Sequence, residues 1–143
     1  MTLTDREQEQ WRSALREQMC GTPFVANLGV VIDEWSPAGV RLRLPFSDHV
    51  TNDGQAVNGG AISSLIDVAG AGAVWAGHDF DRGMRAATVS MTVNFIGAAR
   101  AADLLADAIC VKRGRDLSFS EIRVSTPDGA PVANGTLVYR IVP

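Results

Sequence analysis

The spacing of hydrophobic residues along the chain changes several times, and its first regular stretch predicts a helix. Near the N-terminus, Trp11, Leu15 and Met19 recur at four-residue spacing and make one apolar stripe. The segment Thr4–Glu7 before this stripe reads as a capping box. The Gly21–Pro23 segment ends the pattern, so an N-terminal helical extension is predicted within residues 1–22.

Two short strands are predicted next. Val30–Ile32 is a short apolar run, and Val40–Leu44 alternates apolar and charged residues as a strand does. The turn residues Ser36–Gly39 lie between them, which indicates a hairpin. A polar loop follows over residues 47–58.

The segment Ala61–Ala76 is different, because it is rich in Ala, Leu, Ile and Val and is apolar on every side. A helix that is hydrophobic all round belongs in a core. Gly70-Ala71-Gly72 follows no strand, so it is not a dinucleotide-binding fingerprint. We interpret these small residues as permitting close packing of the helix.

Beyond residue 83 the apolar spacing falls to two, first over residues 88–95 and then over 104–111, 117–125 and 132–142. The alternation slips between Phe119 and Ile122, which suggests a bulge or a strand covered on both faces. Short links predict a four-strand meander of antiparallel strands. One apolar helix and one antiparallel sheet define an α+β fold in which the sheet wraps the helix.

Composition narrows the class of protein. The chain has 143 residues and 46% hydrophobic content, which predicts one globular domain over residues 1–143. The net charge of −3 and an isoelectric point near 5.3 argue against a nucleic-acid surface. Cys20 and Cys110 are isolated, and His49 and His78 are the only imidazoles, so a Cys/His zinc site lacks ligands.

The same features indicate where the protein works. Residues 1–10 are polar and acidic, where a signal peptide requires an apolar segment. The longest apolar stretch, Ala61–Gly77, contains a charge and is shorter than the ~20 residues that span a bilayer. Two isolated cysteines are typical of reduced thiols in the cytosol. We therefore expect a cytoplasmic protein without metal, cofactor, nucleic acid or membrane as partner.

Asp67 is the most informative residue, because it is the only charge in the most apolar helix. A carboxylate in an apolar site costs several kcal/mol unless it is paired, or else its pKa rises. One interpretation is structural: Arg82, Arg85 or a backbone group pairs it, or it lies at a wet edge. The other is functional, a general base or nucleophile, since catalysts use such carboxylates.

Asn58-Gly59-Gly60 directly precedes this helix. Glycines there let a ligand approach free backbone N–H groups at the positive end of the helix dipole, where an oxyanion is stabilised. A loop-to-helix entry that needs glycine for its backbone angles explains the same residues. When the Asn58-Gly59-Gly60 segment is considered alone, the interpretation as a loop-to-helix entry is favoured.

Gly59 and Asp67 together permit a sharper argument. Eight residues of helix separate them by roughly 12 Å at 1.5 Å per residue. A hydrogen-bond donor to a carbonyl oxygen and a base that attacks the same carbonyl group must both lie within about 3 Å of the reacting centre. If both act, they come from two antiparallel copies of the helix across a two-fold interface.

Other candidate chemistry is weak. Lys112-Arg113-Gly114-Arg115 places three cations around a turn, which is interpreted as a solvated corner with phosphate binding as the alternative. Neither histidine is assigned a role. The three tryptophans, at positions 11, 35 and 75, are interpreted as packing residues.

With these residues in view, the chain resembles the PaaI-type acyl-CoA thioesterases, a hotdog-fold family. Val57–Asp67 resembles the His-Gly-Gly…Asp signature of that family, with the same spacing from the first glycine to the aspartate. Thr88–Phe95 resembles the strand after the central helix, and Lys112–Phe119 the segment that meets CoA phosphates. The resemblance covers residues 24–142.

The resemblance implies a hotdog fold, a homodimer that further assembles into a homotetramer, and a small or aromatic acyl-CoA as substrate, without a cofactor. Gly59 and Asn52 would come from one subunit, and Asp67 and Thr88 from the other. Gly59 would polarise the thioester carbonyl, and Asp67 would attack it or activate a water oriented by Asn52 and Thr88. Further substrate-binding residues implied by the resemblance are Asn58, Gly60, Ser63, Ser64, Arg113, Gly114 and Arg115.

The chain departs from the family at one position, since Asn58 stands where the family has His. Asn still donates a hydrogen bond but does not shuttle a proton near pH 7. Two alternatives to hydrolysis follow from the sequence. One is a non-catalytic protein that binds an acyl-CoA or small ligand, and the other is a related hydratase, which is disfavoured because no His lies near the carboxylate.

Overall fold

The computed structural model describes residues 2–143, and two helices begin it. Helix α1 (Asp5–Met19) carries the expected capping box: Glu7 N–H donates to the Thr4 hydroxyl, and the Glu7 carboxylate accepts from Thr4 N–H at 2.8 Å. Helix α2 (Pro23–Leu28) was not predicted. Pro23, taken from the sequence as the end of one helix, starts another, because proline is favoured at the first helical position.

One sheet and one central helix make up the rest. The strands are β1 (Val31–Ser36), β2 (Gly39–Leu44), β3 (Arg85–Phe95), β4 (Leu104–Arg113), β5 (Leu117–Ser125) and β6 (Pro131–Val142), and helix α3 is Gly59–Trp75. Short 3₁₀ turns lie at Asp48–Val50 and Phe80–Arg82. All strand pairs are antiparallel, in the order β1-β2-β4-β5-β6-β3. The predicted α+β hotdog class is confirmed.

The predicted four-strand meander is wrong in one respect. Strands β4, β5 and β6 do form a meander, but β3 pairs with β6 at the far edge, and β2 lies beside β4. The reason is the link over residues 96–103, which is longer than a hairpin loop of 2–5 residues. A link of that length does not force the two strands it joins to pair.

Helix α3 lies against the inner face of the sheet, in contact with β2, β4, β5 and β6. Leu65, Ile66 and Ala69 are fully buried there. At Gly70 a side chain has no room, because a Cβ would lie 2.8 Å from Leu137 Cδ2. The Ser120 hydroxyl, itself buried, donates to the Gly70 carbonyl at 2.9 Å. The interpretation of the small residues as close-packing positions is therefore confirmed at Gly70.

The alternation of β5 is regular, although its sequence suggests a slip. Ser120 faces the helix and Phe119 faces outward, so a polar residue is inside and an apolar one outside. The bulge lies in the neighbouring strand, where Val111 is the extra residue between Cys110 and Lys112. The sequence pattern of β5 thus predicts a bulge in the wrong strand, since the bulge lies in β4.

Two of the three tryptophans are packing residues, as expected. Trp35 and Trp75 contact the core, whereas Trp11 is 45% exposed on α1 and its interpretation as a packing residue is wrong. Cys20 and Cys110 are both free thiols. Within residues 2–143 no helix combines the length and the hydropathy needed to cross a bilayer.

The seating of α3 on the sheet gives a stability prediction. Gly70→Ala should lower the free energy of unfolding by about 1–2 kcal/mol, because overpacking against Leu137 outweighs the gain in helix propensity. Urea unfolding measures this. The matched control is Gly72→Ala, where a Cβ would lie 3.3 Å from the Trp35 ring, and we expect a change of less than about 0.5 kcal/mol. Equal effects of the two substitutions would contradict the close-packing argument.

Candidate active site

Asp67 lies on α3, partly buried, and its carboxylate is held by one hydroxyl. Thr88 Oγ1 donates to Asp67 Oδ1 at 2.7 Å. Arg82 donates to the carbonyls of Gly114 and Arg115 instead, at 2.8 and 2.6 Å. Arg85 donates to the Pro143 carbonyl. The structural alternative in which Arg82 or Arg85 pairs with the carboxylate is wrong, and no described residue forms a salt bridge with Asp67.

A β-bulge aims Thr88 at this carboxylate. The register between β3 and β6 shifts between Thr88 and Ser90, with Val89 as the extra residue. With strict alternation Thr88 would share a face with Ser90 and Thr92, which is the outer face of the sheet. The bulge reverses the alternation, as bulges commonly do near functional sites, so that the Thr88 hydroxyl points inward to α3.

Asn58 builds the N-terminus of α3. Its Oδ1 accepts from Gly60 N–H at 2.6 Å, which makes Asn58 the N-cap, and its Nδ2 donates to Asn52 Oδ1 at 2.5 Å. A Cβ on Gly60 would lie 2.8 Å from the capping oxygen, so a side chain there would make the Asn58 amide shift. No described residue accepts a hydrogen bond from Gly59 N–H, which leaves this donor free at the positive end of the helix.

The predicted site residues therefore form two groups. Asn52, Asn58, Gly59 and Gly60 lie together at the N-terminus of α3, and Asp67 lies with Thr88 two turns further along. Because α3 is one continuous helix, the two groups stay roughly 12 Å apart along its axis. One chain does not bring Gly59 and Asp67 together.

The two serines of the motif differ in their surroundings. The Ser64 hydroxyl donates to the Gly60 carbonyl one turn earlier at 2.8 Å, so it is engaged within the helix. Ser63 is partly buried, and no described residue forms a hydrogen bond with its hydroxyl. Substrate binding by either serine stays a prediction.

The two arginines of the basic segment have different surroundings. Arg113 donates to the Val74 and Ala73 carbonyls at 2.8 and 3.2 Å, so it stabilises the C-terminus of α3, where cations are favourable. Arg115 is 95% exposed, and Gly114 N–H donates to the Leu117 carbonyl at 2.7 Å. Arg115 forms one ion pair, with Asp116 at 3.9 Å, and a phosphate role for Arg113, Gly114 or Arg115 stays a prediction.

A cavity of about 340 Å³ opens beside the carboxylate. Asp67 and Thr88 lie in its wall, together with Trp75 from α3 and Tyr139 from β6. The opposite wall comes from the α1–α2 segment and consists of Leu15, Gln18, Met19, Thr22 and Val25. Reasoning from the sequence missed this wall. Its signal is the apolar stripe containing Leu15 and Met19, from which the sequence predicts a helix but no cavity.

Trp75 and Tyr139 are linked at the inner end of the site. The Trp75 Nε1–H donates to the Tyr139 hydroxyl at 3.1 Å. Burial raises the pKa of Tyr139 above its ordinary value, and the negative charge of Asp67 acts in the same direction. The hydroxyl therefore stays protonated at neutral pH.

The chain is similar to known proteins of one family. Residues 54–133 match the model of the thioesterase superfamily. A protein of Halobacterium salinarum, named as a candidate esterase, is 36% identical over 114 residues, which are 78% of this chain and 75% of the relative. In residues 2–143 no three His, Cys, Asp or Glu side chains form a group that could hold a metal ion.

Solved structures agree with the family match. A thioesterase-family protein of Silicibacter pomeroyi is 25% identical, with a TM-score of 0.80 over 90% of this chain and 97% of that one. A thioesterase-like protein of Streptococcus pneumoniae, solved with coenzyme A, is 17% identical and shares the fold, with a TM-score of 0.68 over 79% and 85% of the two chains. The protein belongs to the thioesterase superfamily.

The cap at Asn58 gives a testable prediction about the site. Asn58→Ala should lower the free energy of unfolding by about 1 kcal/mol, because the Gly60 N–H loses its acceptor. Asn58→Asp keeps that acceptor and should stay within about 0.5 kcal/mol of the unaltered protein. Asn52→Ala, which leaves the cap bond intact, is the control in the same urea titration. A loss at Asn58→Asp as large as that at Asn58→Ala would show that the cap bond is not the stabilising contact.

Proposed function

We propose that the protein is an acyl-CoA thioesterase that hydrolyses a small or aromatic acyl-CoA to the free acid and CoA. The observation that carries the proposal is the pair of separated groups on α3: a free Gly59 N–H at one end and a Thr88-bound Asp67 two turns along. The superfamily match supports hydrolysis of a thioester. The coenzyme A bound by the Streptococcus pneumoniae structure supports CoA as the thiol.

In this proposal Gly59 N–H donates to the thioester carbonyl and stabilises the negative charge that develops on its oxygen. Asp67 of the other subunit either attacks the carbonyl carbon or takes a proton from a water that does so. Asn52 and Thr88 orient that water. The new bond joins the attacking oxygen to the carbonyl carbon, the bond from carbon to sulfur breaks, and the CoA sulfur leaves as thiolate and takes up a proton. Where Asp67 is the nucleophile, water then attacks the mixed anhydride, its bond to Asp67 breaks, and the free acid and the carboxylate are released.

The shape of β3 supports the shared site. The outer edge of β3 pairs with no other described strand, and five of its ten exposed residues are apolar, with Val89 54% and Phe95 56% exposed. Such an edge is a template for pairing with another chain. Phe95, at one end of β3, lies 3.5 Å from the Cβ position of Gly59, and Thr88, near the other end, contacts Asp67. Antiparallel pairing of β3 with its copy would therefore set the Gly59 end of one chain against the Asp67 end of the other.

The outer face of the sheet supports a further step of assembly. Ile109, Val111, Leu117 and Phe119 are exposed on β4 and β5, and no described helix covers them. Apolar patches of this kind mark association surfaces. We propose that two dimers pack through these patches as a homotetramer.

One observation favours a second candidate function. Asn58 replaces the histidine of the family, and both ends of its amide are engaged, by Gly60 N–H and by Asn52. A chain without that imidazole could bind an acyl-CoA or small ligand without turning it over. Tight binding of acyl-CoA in a calorimeter, with no release of CoA from any member of an acyl-CoA panel, would favour this alternative.

The role of Asp67 is tested by Asp67→Asn. We expect the rate of CoA release to fall by about 10²-fold or more, since acid–base contributions have that size. A thiol reagent follows the release across the panel. Glu17→Gln, on the exposed side of α1, removes a carboxylate outside the site and should leave the rate unchanged. Equal rates for Asp67→Asn and the unaltered protein would remove Asp67 from the mechanism.

The shared site is tested by mixing two inactive variants. Gly59→Pro removes only the N–H, because proline suits the first helical position and Asn58 already has the extended backbone that precedes proline. Random pairing with Asp67→Asn subunits should restore about a quarter of the full activity per chain, since half of the dimers are mixed and each has one intact site. Absence of recovery in verified mixed dimers would contradict a site built from two subunits.

A further inference from the structure

Helix α1 is held by one short segment of the chain. No residue of α1 is buried, and its hydrogen bonds to other described elements all go to the segment that links α3 to β3. Gln8 donates to Asp79 Oδ1 at 2.8 Å and accepts from Phe80 N–H at 2.9 Å. Arg12 donates to the His78 carbonyl at 3.1 Å. We call these contacts of Gln8 and Arg12 the α1 latch.

The α1 latch loses little free energy when it opens. Asp79 is exposed, so water replaces the Gln8 amide there. Arg12 Nε is buried, and no described residue accepts its proton. A buried donor without a partner destabilises the docked helix, and the same N–H regains water when α1 moves away. A helix without buried residues, held by hydrogen bonds of this kind, is among the parts of a fold that open most readily.

The C-terminal half of α1 forms one wall of the cavity beside Asp67 and makes no hydrogen bond to another described element. Leu15 and Met19 are partly buried there, packed against the apolar cluster that contains Trp75. Beyond Met19 the chain passes through residues 20–22 to α2, which the buried Val25 anchors in the core. The helix is thus fastened at both ends and lies over the cavity between them.

The α1 latch and the cavity share one aromatic contact. Phe80, whose N–H donates to Gln8, stacks on the ring of Trp75 with centroids 5.8 Å apart. Trp75 in turn lines the cavity opposite Leu15 and Met19. A ligand in the cavity contacts both walls only while α1 is docked, so its binding favours the docked position over the open one.

We propose that α1 is a lid over the cavity beside Asp67. It opens when the α1 latch breaks and the helix turns about residues 20–22, and a ligand in the cavity holds it closed. The identity of that ligand, an acyl-CoA thioester, rests on the function proposed above, whereas the opening of the helix does not. Helix α1 lies outside residues 54–133, the part of the chain that matches the superfamily model, so the lid is separate from the motif on α3.

Amide hydrogen exchange of the full chain tests the lid. Gln8→Ala removes both latch bonds of that amide, and Gln10→Ala is the matched control, since it makes the same change at an exposed position of α1. We expect Gln8→Ala to speed the exchange of residues 13–19 about five- to tenfold, the usual size of one net hydrogen bond, and to leave residues 66–74 of α3 unchanged. Gln10→Ala should change both segments less than about twofold.

The link between the lid and the cavity is tested with phenacyl-CoA, in which a methylene between sulfur and carbonyl prevents hydrolysis. Calorimetry first gives its Kd. At a free concentration of about 100 times that Kd, the exchange of residues 13–19 should slow at least about tenfold, because the bound ligand holds α1 closed.

Three outcomes would overturn the lid. Residues 13–19 could exchange as slowly as residues 66–74, which would mean that α1 opens only when the whole chain unfolds. The two glutamine variants could behave alike, which would mean that the latch does not hold the helix. Bound phenacyl-CoA could leave residues 13–19 unprotected, which would separate α1 from the cavity. If phenacyl-CoA does not bind, the ligand named here and the proposed function fail together, and the two variants still decide whether α1 opens.

Discussion

The rigidity of α3 is the constraint on which the rest of the structure depends. It is one uninterrupted helix from Gly59 to Trp75, so the free N–H at its start and the carboxylate two turns on keep a constant separation. Three contacts fix it in place: the Asn58 cap at its N-terminus, the bond from Ser120 to the Gly70 carbonyl at its middle, and Arg113 on its last carbonyls. A helix held this firmly does not bend to bring its two functional groups to one substrate.

Strand β3 contacts both functional ends of α3, through Thr88 at Asp67 and through Phe95 at Gly59. The bulge at Val89 gives one strand two different tasks, because Thr88 turns inward to Asp67 while the residues beyond it keep their alternation. The same strand has an unpaired edge, and its far end lies beside Gly59. A single edge strand thus positions the Asp67 carboxylate through Thr88. The same strand offers the edge through which a second copy would complete the proposed site.

Local features of the fold were predictable from the sequence, and the features that depend on long-range packing were not. The Thr4 cap, the apolar α3 and the β5 bounds follow from residue type and periodicity within a short window. Periodicity states which face of a strand is buried but not which strand lies beside it, so the pairing of β3 with β6 was missed. For Thr88, strict alternation predicts the wrong face, and the resemblance to a family supplied the placement that the bulge explains. Tyr139 gave no signal at all, because a cavity wall exists only after α1, α3 and β6 have packed.

Asn58 fixes the start of α3 with a neutral side chain. The cap needs an acceptor directed at Gly60 N–H, and an amide supplies one at every pH, whereas an imidazole loses its acceptor when it is protonated. The other end of the amide is held by Asn52, so the orientation of the cap does not depend on a charge. Among the residues grouped at the two ends of the α3 site, Asp67 is then the one with a carboxylate. The Asn58 cap thus leaves the free Gly59 N–H in position, and the proton chemistry of the proposed reaction falls to a single carboxylate.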